Sequence, residues 1–360
     1  MVSLARPSYL QWRAGGFRKK VLLLSCTNQR RIFVDSAERK SRMRPKLYID
    51  GQAGTTALRV RDWLAGRDDL ELVVLPEELR KEPTARQRAL REANIVLFCL
   101  PDDAAREAAA WLADSPVRIL DASTAHRVTD DWVYGLPELM VGQRERIARA
   151  KRVANPGCYA SAVILLLRPL VEAGLIASDT VFSIHALSGY SGGGRSMIER
   201  WEDPTRRLLE LQHEAPYSIS KLHKHIPEIM RYGGLNTEPQ FLPAVGPFRC
   251  GMRVQVTLPS KALSKSGTGK AMWETLASRY ENEPFVEVEP PTDPSEADEF
   301  TFDPQAHNDT NRISLRVLPH ASGHVMLMAR LDNLGKGAAG VAIQCLNLML
   351  GVSEGTGLPT

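Results

Sequence analysis

The 360-residue chain has no uninterrupted apolar stretch of the roughly 18 residues that a membrane-spanning helix needs. Its longest apolar run, around residues 160–167, is broken by Ser161 and Arg168. Aromatic residues make up only 6%, too few for a surface that stacks bases. Gly 26 and Pro 23 are near average, which excludes collagen-like and Pro-rich chains. No CxxC pair occurs among Cys26, Cys99, Cys158, Cys250 and Cys345, so a zinc ribbon or a thioredoxin-type site is not indicated. An odd set of widely spaced cysteines fits reduced, mostly buried thiols and a cytoplasmic protein. No internal repeat is visible at periods of roughly 20–50 residues.

What remains is ordinary soluble composition, 43% hydrophobic and 24% charged, in a chain long enough for two domains. The formal charge of +4 is unevenly placed. Residues 1–42 hold ten Lys and Arg against Asp35 and Glu38, leaving 36 basic against 40 acidic residues in the rest. The basic balance therefore belongs to the leader, and neither a nucleic-acid nor a membrane partner is expected. The short patch Val21-Leu-Leu-Leu24 is too small for a signal-peptide core. An organellar transit peptide fits the leader's composition. We favour an upstream start called in error, with translation beginning at Met43, and expect residues 1–42 to be disordered or poorly packed.

From residue 46 the pattern alternates. Strands are expected at 46–50, 70–75, 95–100 and 117–121, and helices at 55–64, 85–93 and 101–113. Apolar strands separated by helices imply a parallel sheet covered on both faces. After residue 155 longer strands are expected at 181–187, 253–258, 313–318 and 325–331. They indicate an α+β region with a mixed, mostly antiparallel sheet. Residues 336–350 return to helical periodicity with small residues. The expected organisation is an α/β, Rossmann-type dinucleotide domain of residues 43–157 with 335–360, and a substrate and dimerisation domain of residues 158–334.

Four motifs carry chemistry. Gly51-Gln-Ala-Gly54-Thr55-Thr56 lies between a strand and a helix, where backbone N–H groups suit a phosphate, although a tight turn alone would also account for two glycines. No acid closes the second strand, while Arg80 and Lys81 follow it, which tilts the reading toward NADP(H). Asn155-Pro-Gly-Cys158-Tyr159 precedes a helix. A thiol there is expected to be an exposed nucleophile with a lowered pKa. The other cysteines read as buried. His223-Lys-His225-Ile-Pro-Glu228 offers a proton shuttle. In an extended segment the two imidazoles would face opposite ways, so one at most is expected at the thiol. Without a third ligand nearby no metal is expected. Ser188-Gly189-Tyr-Ser-Gly-Gly-Gly-Arg195 suits an anionic group or is a flexible loop with a solvated arginine. His126 stands out slightly in Asp121-Ala-Ser123-Thr-Ala-His-Arg127; the remaining histidines read as surface or satisfied core.

Taken together, DGQAGTT, DASTAHR, YGLPEL, NPGCY, SGYSGGGR, HKHIPEI and DNLGKGAAGVAIQ resemble the N-acetyl-gamma-glutamyl-phosphate reductases, in their shorter bacterial type, from about residue 46 to 350. The resemblance implies an arginine-biosynthesis enzyme of the semialdehyde dehydrogenase fold, reducing an acyl phosphate to an aldehyde with NADPH, and a homodimer or homotetramer. It implies Cys158 as nucleophile and His223 or His225 as acid/base. It places the cofactor on Gly51, Gly54, Thr55, Thr56 and Ser123, and the substrate on Arg127, Tyr159, Ser188, Gly189, Arg195 and Glu228. Two departures are Tyr-Ala-Ser-Ala after the cysteine position, where the family usually has Tyr-Pro-Thr-Gly, and the short nucleotide loop. Aspartate-semialdehyde dehydrogenase and the reductase of carrier-linked aminoadipyl phosphate are neighbouring readings. A nucleotide-free thiol hydrolase or acyltransferase, and a non-catalytic nucleotide sensor, are readings of a different class.

Overall fold

The computed structural model describes residues 44–291 and 293–360; the reading of residues 1–42 lies outside them. Six short strands form a wholly parallel sheet: β1 (Lys46–Asp50), β2 (Glu71–Val73), β3 (Ile95–Phe98), β4 (Arg118–Asp121), β5 (Val133–Tyr134) and β6 (Arg152–Ala154), in the order β2-β1-β3-β4-β6-β5. The helices α1 (Thr55–Trp63), α2 (Pro83–Glu92), α3 (Asp102–Trp111) and α4 (Gln143–Arg149) alternate with these strands. β3 is buried at every position, as a strand covered on both faces must be. The order of β1–β4 and α1–α3 agrees with the periodicity, which does not mark α4. The two-residue β5 and three-residue β6 are too short to show any period.

The second sheet has seven strands: β7 (Ser183–Gly189), β8 (Ala215–Pro216), β9 (Gln240–Gly246), β10 (Met252–Leu258), β11 (Val286–Val288), β12 (Ile313–Pro319) and β13 (Val325–Leu331). Their order is β11-β12-β13-β10-β7-β9-β8, with β7·β9 and β11·β12 parallel and the other pairs antiparallel. β9 escapes a sequence reading because Pro243 interrupts it. The proline is tolerated because its only outer neighbour is the two-residue β8.

Behind this sheet lies α5 (Cys158–Glu172), apolar all round and buried from Tyr159 to Leu167. A helix with that composition has to be enclosed. It shares one core with β10, β12, β13 and the helices α7 (Ile226–Gly233) and α8 (Gly269–Tyr280). The shorter α6 (Arg195–Glu202) follows the glycine-rich loop. Residues 336–350 are not one regular helix. A π-helical turn over Gly335–Ala339 leads into α9 (Gly340–Leu350), whose apolar side packs on the first sheet through Val341, Ile343, Cys345 and Leu346.

The turn is anchored by an ion pair with no solvent exposure. Lys336 Nζ donates to Glu138 Oε1 and to Gln344 Oε1, both at 2.7 Å, and Gln344 Nε2 donates to Glu138 at 2.8 Å. No helix among the described residues is long and apolar enough to cross a membrane. Lys336→Met leaves the Glu138 carboxylate buried without its cation, and losing one partner of such a pair costs about 3–5 kcal/mol. The expected outcome is a lowered urea-unfolding midpoint, partly restored when Glu138→Leu is added.

Candidate active site

The site begins at the ends of β1, β4 and β6. After β1 the chain turns sharply at Gly51, whose φ is +85°. A Cβ there would come within 2.3 Å of the Cys99 carbonyl oxygen, so only glycine fits. Gly54 then starts α1 with no side-chain cap and no acid in the first turn, so the helix presents open N–H groups to an anion. After β4, buried Asp121 accepts from the Ser123 N–H (2.9 Å) and hydroxyl (2.7 Å) and contacts His126 Nδ1 at 2.6 Å. His126 stacks on Trp132 with ring centres 4.0 Å apart. That turn delivers Arg127. After β6, Asn155-Pro-Gly157 places Cys158 at the first position of α5.

The NPGC turn is held from below. Buried Glu228, on α7, accepts from Arg127 Nη1 (2.7 Å), Tyr134 Oη (2.7 Å) and the Gly157 N–H (3.1 Å). Arg127 also donates through Nε to the Asn155 carbonyl at 2.9 Å. These groups crowd Gly157. A Cβ on it would lie 2.5 Å from Arg127 Nη1 and His225 Nε2, and 2.6 Å from Glu228 Oε1. Gly337, in the π-helical turn, is confined in the same way, since its Cβ would lie 2.7 Å from that of Cys158.

A cleft of about 550 Å³ joins these pieces. It brings together Gly54, Thr55, Thr56, Arg127, Cys158, Tyr159, Ser188, Gly189, Arg195, His223 and His225. Three expected residues stay out of it. Gly51 shapes the nucleotide turn. Ser123 is buried against Asp121, and Glu228 lies beneath the catalytic turn with both carboxylate oxygens engaged. Ser123 and Glu228 thus position neighbours instead of lining the space for cofactor or substrate. Arg195 stands at the rim, exposed and bonded to Glu199 at 2.8 Å.

The two imidazoles do not face opposite ways. Residues 223–225 form a turn into α7, with His225 in helical geometry, so the alternation of an extended strand does not apply. Both rings meet Tyr159, at 5.7 and 5.6 Å between centres, and lie 4.8 Å from one another. His223 Nδ1 accepts the His225 N–H at 3.2 Å, whereas the buried His225 Nδ1 has no partner among the described residues. Both imidazoles are held neutral. Burial, followed by Lys224 and Arg127, lowers His223 to about 4. Burial and Arg127 push His225 well below its ordinary value.

Cys158 corrects the expectation of a lowered pKa. Its residue is partly exposed to the cleft, yet its surroundings are dense, and burial pushes the thiol up to about 11. Arg127, the Tyr159 N–H at the helix start and Lys224 pull the other way without cancelling it. Lys224, Asn333, Leu334, Gly337 and Ala338 also line the cleft and were not singled out from sequence. Their one signal was membership of HKH and of DNLGKGAAG.

Family models describe this architecture. Residues 68–150 match the semialdehyde dehydrogenase NAD binding domain, and residues 158–333 match the semialdehyde dehydrogenase dimerisation domain. The N-acetyl-gamma-glutamyl-phosphate reductase 2 of Nostoc sp. is 44% identical over 88% of this chain and 99% of its own length. The N-acetyl-gamma-glutamyl-phosphate reductase of Burkholderia lata is 45% identical over 86% and 98%. The chain belongs to the N-acetyl-gamma-glutamyl-phosphate reductase family. Among solved structures, aspartate semialdehyde dehydrogenase II of Vibrio cholerae superposes with a TM-score of 0.64 at 16% identity, covering 86% of this chain and 99% of that one. The aspartate semialdehyde dehydrogenase of Candida albicans gives 0.60 at 14%, covering 85% and 98%. At these identities the likeness shows the shared fold of the reductase family and its neighbour.

For a thiol raised to about 11, each unit rise in pH below that value increases the thiolate fraction about tenfold. Alkylation of Cys158 by iodoacetamide in the ligand-free protein is therefore expected to accelerate about tenfold per unit from pH 7 to 10. Mass spectrometry of the peptide carrying Cys158 reads the rate, and a plateau below pH 8 would contradict the burial argument.

Proposed function

We propose that this chain reduces N-acetyl-gamma-glutamyl phosphate to N-acetylglutamate 5-semialdehyde and phosphate with NADPH, in arginine biosynthesis. The observation that carries the reading is Cys158 beside two neutral imidazoles, in one cleft with the uncapped start of α1. The relatives' printed activity supports the substrate. The α1 turn fits a dinucleotide phosphate, because its glycines leave the N–H groups unobstructed. NADP is favoured over NAD because no acid ends β2, while Arg80 and Lys81 follow it. The dimerisation-domain match supports a homo-oligomer, which we read as a homodimer or homotetramer.

His225 is our choice of acid/base. Its Nε2 stands against Gly157, one residue from the nucleophile, and its Nδ1 has no partner among the described residues. As the sulfur attacks the acyl carbon, the thiol proton passes to His225 and on to the departing phosphate oxygen. The C–S bond forms, the C–O bond to phosphate breaks, and a thioester remains on Cys158. When bound, the reduced nicotinamide supplies the hydride for that thioester. Collapse of the resulting alkoxide breaks the C–S bond and releases the aldehyde. The Cys158 thiolate then takes up a proton from solvent, relayed through the imidazole.

The reverse reaction tests this. NADPH formation at 340 nm with N-acetylglutamate semialdehyde is expected to require phosphate, with aspartate semialdehyde as the inactive control; turnover of the control alone would overturn the substrate. Cys158→Ala should abolish turnover and leave NADPH binding intact. His225→Gln should lose about 10²–10⁴-fold in kcat. His223→Gln should lose less; the opposite ranking would exchange the two roles.

A further inference from the structure

Three cationic side chains line the cleft: Arg127, Arg195 and Lys224. Two of them are already neutralised. Arg127 is buried against Glu228 at 2.7 Å, and its Nε is committed to the Asn155 carbonyl. Arg195 carries Glu199 at 2.8 Å. Lys224 is exposed on the cleft side of the HKH turn and has no carboxylate within ion-pair distance among the described residues. Its charge is felt by the Cys158 thiol and by both imidazoles. It is also felt by Asp102, whose carboxylate is occupied by the Thr124 N–H at 2.9 Å and by the Thr124 hydroxyl.

We propose that Lys224 is the phosphoryl-binding cation of this site. The inference rests on the acyl-phosphate reading above and names the residue that receives the phosphate. An arginine already paired with a carboxylate gains little from a second anion, whereas an unpaired ammonium gains the full attraction. The phosphoryl group carries more charge than the substrate's carboxylate and adjoins the carbon that Cys158 attacks. Lys224, between the two histidines, lines the same cleft as Cys158 and is the cation there that no carboxylate pairs among the described residues. Its flexible four-carbon stem lets the ammonium follow the phosphate as the C–O bond lengthens and the oxygen departs with the electron pair. The same positive charge opposes protonation of the imidazoles, which keeps a proton acceptor available beside the thiol.

The test uses the full chain and the reverse reaction, with Lys224→Met and Lys224→Arg. Losing a hydrogen bond to a charged group corresponds to roughly 10–100-fold in binding. The KM for inorganic phosphate is therefore expected to rise by roughly that factor in Lys224→Met. The KM for the semialdehyde and the binding of NADPH should stay within about twofold, well below the tenfold that one such bond is worth. Lys224→Arg should recover most of the loss. A second arm needs no turnover: inorganic phosphate should slow iodoacetamide alkylation of Cys158 in the unaltered chain, and Lys224→Met should need proportionately more phosphate for the same protection. An unchanged phosphate KM with unchanged protection would overturn the proposal. So would a rise in the semialdehyde KM alone, which would assign Lys224 to the carboxylate. If the unaltered chain showed no phosphate-dependent activity, the reductase reading itself would fail. The protection arm would then still report whether Lys224 holds phosphate.

Discussion

The carboxylate of Glu228 accepts from Arg127, Tyr134 and the Gly157 N–H at one point, 1% exposed. Those donors come from the loop after β4, from β5 and from the turn before α5, while Glu228 itself belongs to α7. Four segments of the fold are thereby fixed around one buried anion. Breaking such a network strands a charge or a donor away from water, so its geometry is strongly enforced. Cys158 follows the held turn directly, and the two imidazoles precede the helix that supplies the carboxylate. The thiol and the two imidazoles are thus held from one place.

The electrostatics of the nucleophile follow from the same crowding. A helix N-terminus and two cations favour the thiolate, but the enclosed turn favours the neutral thiol more strongly, and the thiol ends near 11. The surrounding burial also keeps both imidazoles neutral. The cleft therefore holds an undissociated thiol together with two neutral imidazoles.

The far wall of the cleft depends on a second buried charge pair. Lys336 and Glu138 are both without solvent exposure, and they anchor the π-helical turn that sets Gly337 against Cys158. Asn155 ties the two walls together by donating to the Ala338 carbonyl at 3.1 Å. The chain returns to the first sheet through α9 directly after this turn, so the turn that leads into that helix also lines the cleft.

Sequence by itself determined the two-sheet architecture and the order of the main strands and helices, and it pointed to Cys158, His223 and His225, which the fold brings into one cleft. These are properties of local periodicity, turn chemistry and residue type, which are written in contiguous stretches. It missed β9, hidden by Pro243, and the two- and three-residue strands β5, β6, β8 and β11, whose pairing depends on neighbours distant in the chain. It also left open which cations are free. Arg127 and Arg195 read as anion binders until their partners Glu228 and Glu199 are in view, and Lys224 passed unnoticed between two more conspicuous histidines. Only the tertiary structure decided that both imidazoles line the cleft with the thiol, that Glu228 and Ser123 support neighbours instead of lining it, and that burial outweighs the helix terminus at Cys158. The reason is that desolvation and charge neutralisation depend on what surrounds a side chain in space, and no short stretch of sequence carries that information.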